Sequence, residues 1–557
     1  MIWRSGCGTW GTWGRRGFKR VCCVSDLPNI LLVVVDCGRS DKWLGPGRTT
    51  VTPNVDELAA RGVAFPTTIT EKSCTTPSFS TLLTGLYSPR HGVHLVWGYR
   101  LGQHVPMLTH VLAGRGYHTY AEVSGPLLPE MGLDRGFEVY DYRAPCDYLH
   151  TSWGDRFCER VRTGHYRSPW FIMLHLWELH PERQVLGDHA SSESGRDEYE
   201  RAISSLDAQL GRVFDAVGDD TMIVLTSDHG EKTEAETYRP GTAVAYACDL
   251  LGIDQAEGMA PFEIAKWAGP SVLQQLYSQA TPLMKTLRLR DLARKPVYSR
   301  WTRLRDRLRL LRLTPVVYLH DLFALGAPLK LTAMLKRRGL LSEDRARPKV
   351  ERFVRSLGQD DLLDMHLRMW INSYKRNQLE GHMVHVYDFL VRIPLVICWP
   401  GRLPVGVVHE RMVRQPDILP TVLDLIGVEP GQKGVGDVDG RSFKPLIDGG
   451  DWQPQPAYLS VSGLPADLEI RGVRTEDHKY TYGPENPELP QELYDLRADP
   501  GEEHNLAGDD PERCAALREL ASSLRPANGD APVEMMTIDA DQQEQIEERL
   551  RDLGYLE

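Results

Sequence analysis

The sequence predicts an α/β fold built on a mixed, mostly parallel central sheet, joined by a helical insertion and a small antiparallel sheet near the C-terminus. Three observations carry this. Strand and helix patterns alternate from Asn29 onward, the rhythm breaks after Glu231, and short strands with Gly and Pro turns return after Leu459. Alternation is what parallel strands require, because each must be reached through a crossover helix.

The first strand is Asn29 to Val35, an apolar run too short to span a membrane and closed by Asp36, hence a strand buried on both faces. Pro53 to Arg61 starts on Pro, carries Asp56 and Glu57 early and stops at Gly62, the signature of a short helix. Pro106 to Ala113 reads as a second helix, followed by a strand at Tyr117 to Val123. Trp170 to Leu176 is a further strand, Glu198 to Val217 a long amphipathic helix, and Thr221 to Thr226 the strand behind it. Residues 232–379 are Arg-rich, with runs such as Arg303 to Arg312 and Lys336 to Arg338, and read as a helical insertion. Its basic excess suits a solvated decoration, a lid over an anionic substrate, a partner site or a membrane-surface helix. Strand pattern resumes at Arg392 to Trp399, and Leu468 to Arg474 and Lys479 to Tyr482 supply the small sheet. The expected division is a flexible extension at 1–27, a main domain at 28–445 interrupted by 232–379, an α+β unit at 446–525, and a tail at 526–557 ending in a charged helix from Asp539 to Leu553.

Composition narrows the class. The chain has 557 residues, 41% hydrophobic and 25% charged, which is globular material with ample core. A net charge of -11 excludes the basic signature of a dedicated nucleic-acid binder, so no nucleic-acid partner is expected. Ten cysteines without a C-x-x-C pair fit a reducing compartment. Arg15, Arg16, Lys19 and Arg20 precede Pro28 with no apolar run of signal-peptide length, so a cytoplasmic location is expected.

Chemistry concentrates at strand ends, where ligand crevices of α/β sheets lie. Asp36 ends one apolar strand, Glu178 and His180 follow a second, and Asp228 with His229 a third. A carboxylate at the end of a buried strand needs a cation or strong donors. Each Asp taken singly is more often a helix N-cap after a strand; together with His229 they suit a divalent ion such as Ca²⁺, Mg²⁺, Mn²⁺ or Zn²⁺. The segment Cys74-Thr75-Thr76-Pro77-Ser78 places hydroxyls just before an expected helix, where backbone N–H groups can hold an anion, or simply cap the helix.

The ordered motifs resemble the sulfatase family of the alkaline phosphatase superfamily. They comprise Asn29 to Asp36 with Arg39 and Asp41, Thr52 to Val63, Pro77 to Gly85 with Pro89 and His91-Gly92-Val93, and Thr226 to Glu231. They continue through Gly381-His382, Tyr387-Asp388, Arg392 to Leu395, Asp417 to Leu425, Asp439 to Ser442, and Glu492 to Leu496 with Asp499-Pro500 and Asn505-Leu506. The resemblance implies an alkaline-phosphatase-like sandwich, a catalytic metal held by Asp36, Thr75, Asp228 and His229, and His180 and His382 at the substrate or leaving group. Glu178, His180 and His382 could supply a second metal, as in two-metal phosphodiesterases of the superfamily.

The departures are informative. The position that the family's sulfatases convert to formylglycine, two before the Pro, is Thr75; the Arg expected four further on is Phe79, and Cys74 is out of register. No formylglycine is therefore expected. The sequence also has Val123-Ser124-Gly125-Pro126 in place of the family's Lys-Trp-His segment. The reading is a metal-dependent hydrolase of a small anionic ester, phosphate before sulfate, acting through Thr75. Its rivals are transfer of a phosphoryl group to an alcohol or lipid head group, genuine sulfuric ester hydrolysis, and a decayed binding protein.

Overall fold

The computed structural model describes residues 27–233 apart from 97, 145, 181 and 182, then 385–428, 437–461, 468–525 and 530–535, with isolated positions 242, 243, 245, 246, 250, 356, 358 and 382. The helices expected within 232–379, the terminal helix at 539–553 and the extension at 1–26 lie outside the described residues.

The main sheet has nine strands. They are β1 (Asn29–Val35), β2 (Val63–Ile69), β4 (His118–Val123), β5 (Val139–Tyr142), β6 (Trp170–Leu176), β7 (Thr221–Ser227), β8 (Arg392–Cys398), β9 (Val407–Val408) and β10 (Val413–Arg414); β3 (Tyr99–Arg100) lies apart. The order is β10-β2-β8-β7-β1-β6-β4-β5, with β9 beside β2, and β8 alone runs antiparallel to its neighbours β2 and β7. The sheet is thus mixed and mostly parallel.

β1 shows why its run of apolar residues is continuous. Ile30, Leu32 and Val34 enter one core, shared with Phe79, Leu82 and Leu83, while Leu31, Val33 and Val35 enter another, shared with Phe157, Ile203 and Leu206. Alternate side chains point to opposite faces, so a strand covered on both sides must be apolar at every position. The helices α1 (Ser40–Trp43), α2 (Pro53–Ala60), α3 (Thr75–Thr84), α4 (Ser88–His91), α5 (Leu108–Ala113), α6 (Ser152–Arg162) and α7 (Glu198–Phe214) flank the sheet. Every residue of α3 is buried, and the left-handed Gly85 closes it at φ 68°. The expected elements and the observed ones differ by a few residues at their ends, as at α7, which stops at Phe214 because Asp215 to Val217 leave the helix.

A second sheet, β11 (Ala457–Val461), β12 (Ile470–Arg474), β13 (His478–Tyr482) and β14 (Glu492–Asp495), is wholly antiparallel, with the helix Pro511–Ser523 packed on it. It meets the main domain through buried polar contacts: Lys72 Nζ donates to Ser460 Oγ at 2.7 Å, and Ser460 Oγ to Glu71 at 2.8 Å. The tail returns to the main domain, where β15 (Glu534–Met535) pairs with β3.

Candidate active site

Register builds the site. Val35 of β1 pairs with Leu176 of β6 on one side and with Ser227 of β7 on the other, so the residues after these strands emerge at one sheet edge. Asp36 and Asp228 are therefore brought together from positions far apart in sequence, both wholly buried. α3 brings Thr75 to the same edge as its first residue.

Thr75 Oγ1 lies 3.3 Å from Asp36 Oδ2 and 3.4 Å from His229 Nε2. The His229 Nδ1–H donates to the Gly230 carbonyl at 2.8 Å, which fixes the tautomer and leaves the Nε2 lone pair facing the carboxylates. Asp228 Oδ1 accepts from the backbone N–H of Cys37 at 3.2 Å and of His229 at 2.8 Å. Asp228 Oδ2 is buried without a hydrogen-bond partner; His229 Nε2, 3.4 Å away, presents its lone pair and has no proton to donate.

The electrostatics show what is missing. Burial, then the neighbouring charge of Asp36, push the Asp228 carboxyl above the ordinary range. Asp36 is held well below it: burial works against its charge, but the His175 hydrogen bond and the charges of His229 and His180 outweigh that. Two buried carboxylates facing one another cannot both ionise without a cation. Asp36, Asp228 and His229 offer ligand atoms all within 4.8 Å of one another, and the orphaned Asp228 oxygen faces that space, so the donor set fits a divalent ion.

The other expected residues separate into two groups. His382 joins the cluster: its ring centroid is 4.4 Å from that of His229, and Nδ1 lies 3.1 Å from Glu231 Oε2. Glu231 is held at about 2, because His382 outweighs its burial. His180 stacks on Trp177 at 3.9 Å between centroids and stands 5.8 Å from the His382 ring, at the mouth of the cluster. Glu178 does not join. Its Oε1 accepts the Leu149 N–H at 2.8 Å, burial raises its pKa, and Arg143 is its charge partner. Among the described residues Glu178 belongs to neither group of potential metal ligands. Its other oxygen, Oε2, is buried without a hydrogen-bond partner.

Sequence reasoning missed three contributors. His175 lies within β6, with Nε2 3.3 Å from Asp36 Oδ2 and its ring edge-on to Phe79. Its signal was a lone imidazole in the apolar run Trp170 to Leu176. Cys37 adopts φ 60° and directs Sγ to Asp36 Oδ1 at 2.8 Å. Glu231, quoted within a motif, carries the carboxylate that holds His382.

This arrangement, a hydroxyl at a buried helix start facing strand-end carboxylates and imidazole, coincides with a match of residues 28–249 to the family model described as sulfatase. Residues 28–249 form a sulfatase-family domain. The family model described as N-sulphoglucosamine sulphohydrolase, C-terminal, matches residues 383–528. The domain is similar to N-acetylglucosamine-6-O-sulfatase of Bacteroides thetaiotaomicron, 31% identical over 131 residues, which is 22% of each chain. It is likewise similar to human arylsulfatase A, 31% identical over 173 residues, covering 26% of this chain and 32% of the relative. The aligned segments thus span under a third of these relatives. The fold is shared with the phosphonate monoester hydrolase of Agrobacterium radiobacter, at a TM-score of 0.52 and 18% identity, over 89% of this chain and 95% of that one. Among the described residues no helix is long and apolar enough to cross a membrane.

Proposed function

We propose that this sulfatase-family chain hydrolyses a small anionic ester of phosphate through Thr75, with a divalent cation bound by Asp36, Asp228, His229 and Thr75. The observation that carries the reading is the position of Thr75 Oγ1, within 3.4 Å of both Asp36 Oδ2 and His229 Nε2 at the start of α3. The cation, when bound, favours the ionised hydroxyl and neutralises charge on the phosphoryl oxygens.

Thr75 Oγ1 gives up its proton to Asp36 Oδ2, the carboxylate it faces at 3.3 Å, and forms a bond to phosphorus as the ester's organic oxygen leaves. His180, at the mouth, supplies the proton to that oxygen, with His382 on the Glu231 carboxylate the second candidate for the role. Water then adds to phosphorus, the Thr75 oxygen departs and takes back a proton, and phosphate is released. In the first turn of α3 only Thr75 and Thr76 offer N–H groups to an anion, because Pro77 has none and the Ser78 N–H donates to the Cys74 carbonyl. Cys74 is a poor rival nucleophile, since burial pushes its thiol up to about 12.

Intact-protein mass spectrometry after brief reaction with an activated phosphomonoester, phosphodiester or aryl sulfate tests this. The expected result is a mass increase of one phosphoryl group on wild type and none on Thr75→Ala. Aryl sulfate turnover that survives Thr75→Ala would overturn the mechanism and return attention to Cys74. Product analysis with added acceptor alcohol separates hydrolysis from transfer.

A further inference from the structure

The donors around Thr75 include sulfur. Cys37 Sγ and one ring nitrogen each of His229 and His382 lie within 4.8 Å of one another, and His229 belongs equally to the group with Asp36 and Asp228. Because His229 Nδ1 is committed to Gly230, only Nε2 is available to both groups, so the two sets describe one binding space rather than two. The unpartnered Asp228 oxygen faces the same space.

Cys37 is held there by the fold. It has φ 60°, a left-handed conformation that non-glycine residues seldom adopt and that persists where surrounding structure enforces it. Its carbonyl accepts from the Tyr199 hydroxyl at 2.5 Å, the same hydroxyl accepts from the Arg39 N–H at 3.0 Å, and the Cys37 N–H donates to Asp228. Sγ stands 3.8 Å from His382 Nδ1, the nitrogen that also lies 3.1 Å from Glu231 Oε2 and would exchange that carboxylate for the ion. A thiolate and an imidazole on one tetrahedral zinc ion, at Zn–S about 2.3 Å and Zn–N about 2.0 Å, are about 3.5 Å apart. The observed separation is nearly that of two ligands on one ion.

We propose that Cys37, as a thiolate, and His382 join Asp36, Asp228 and His229 around the site's cation, making a mixed sulfur, nitrogen and oxygen site that selects zinc-class ions over Ca²⁺ and Mg²⁺. The inference rests on the reading that this cluster binds a divalent cation. Thiolate and imidazole favour Zn²⁺ and its relatives, whereas Ca²⁺ and Mg²⁺ take oxygen ligands. Zinc takes four or five ligands, so not all of these five groups and Thr75 bind it at once. On binding, the thiol proton that now lies between Sγ and Asp36 Oδ1 is released to solvent.

The test uses the full-length chain stripped with a chelator and titrated with Co²⁺, Cd²⁺, Zn²⁺ and Ca²⁺. Wild type and Cys74→Ser are expected to show a sulfur-to-metal charge-transfer band with Co²⁺ and Cd²⁺ that Cys37→Ser lacks. Zn²⁺ affinity should fall in Cys37→Ser by a factor on the order of ten or more, with Ca²⁺ binding no weaker than in wild type. X-ray absorption on Zn²⁺-loaded wild type, which needs no variant to fold, should find a sulfur scatterer at about 2.3 Å. Binding of Zn²⁺ with only nitrogen and oxygen scatterers, or without loss in Cys37→Ser, overturns this proposal and leaves the metal reading standing. Binding of none of the four ions overturns the metal reading itself.

Discussion

Two buried charge clusters in this protein answer the same problem in opposite ways. Where the main domain meets the C-terminal sheet, Asp388 and Glu502 share Lys479 Nζ, at 2.5 Å and 2.7 Å, and Arg474 adds a contact to Asp388 at 3.2 Å. At the strand-end cluster Asp36 and Asp228 face each other with imidazoles and a thiol, and among the described residues no Lys or Arg is hydrogen-bonded or ion-paired to either. A buried carboxylate matched by the chain's own cation is architecture. One left unmatched marks a place where a cation from outside completes the structure.

The comparison breaks most sharply at Thr75. Thr75→Ala removes the proposed nucleophile while leaving Asp36, Asp228 and His229, so turnover of an activated phosphate ester should fall by at least about 10⁴-fold with cation binding largely retained. Parallel loss of cation binding would instead make Thr75 primarily a ligand. In the other cluster Lys479→Met strands Asp388 and Glu502, and denaturant unfolding should show a loss of about 3–5 kcal/mol. A loss near zero would mean that water or Arg474 already neutralises the pair.

His175→Gln tests whether a neighbour of the unmatched cluster acts through its ligand. The His175 bond orients Asp36, so cation affinity measured by calorimetry should weaken on the order of 10- to 100-fold, with little change in unfolding midpoint of the metal-stripped protein. Unchanged affinity would reduce His175 to a packing partner of Phe79.

The smallest effect expected is in acid. Burial opposes the charge of Asp388, yet Lys479, Arg474 and Arg392 hold its carboxyl below the ordinary value of 3.8. Its folded pKa is the depressed one, so its contribution is complete above that ordinary value and is lost as pH falls through the folded one. Unfolding free energies of wild type and Asp388→Asn, compared from neutral to strongly acidic pH, should converge only in that acid window. Convergence already near neutral pH would assign the stability to another group.

The strands were legible because burial on two faces forces an apolar residue at every position, as in β1 and β6. Asp36, Asp228 and His229 were legible because polar residues closing such strands have few other reasons to be there. Thr75 was singled out by its spacing from Pro77, and the resemblance to the family's motif supplied the role proposed for it. Within the sequence, however, Glu178 and His175 are both acidic or basic groups near the end of one strand, and nothing in one dimension says which reaches Asp36. The answer came from the pleat and the register: His175 pairs with Val34 and turns toward Asp36, whereas Glu178 lies beyond the strand, beside Leu149 and Arg143. Cys37 was equally silent, since its side chain is aimed by a left-handed φ that Tyr199, Arg39 and Asp228 impose from three other parts of the chain. Local pattern thus determined which elements form and which polar residues end them. Direction, pairing and the presence or absence of a matching charge depend on distant contacts, and only the tertiary structure decided those.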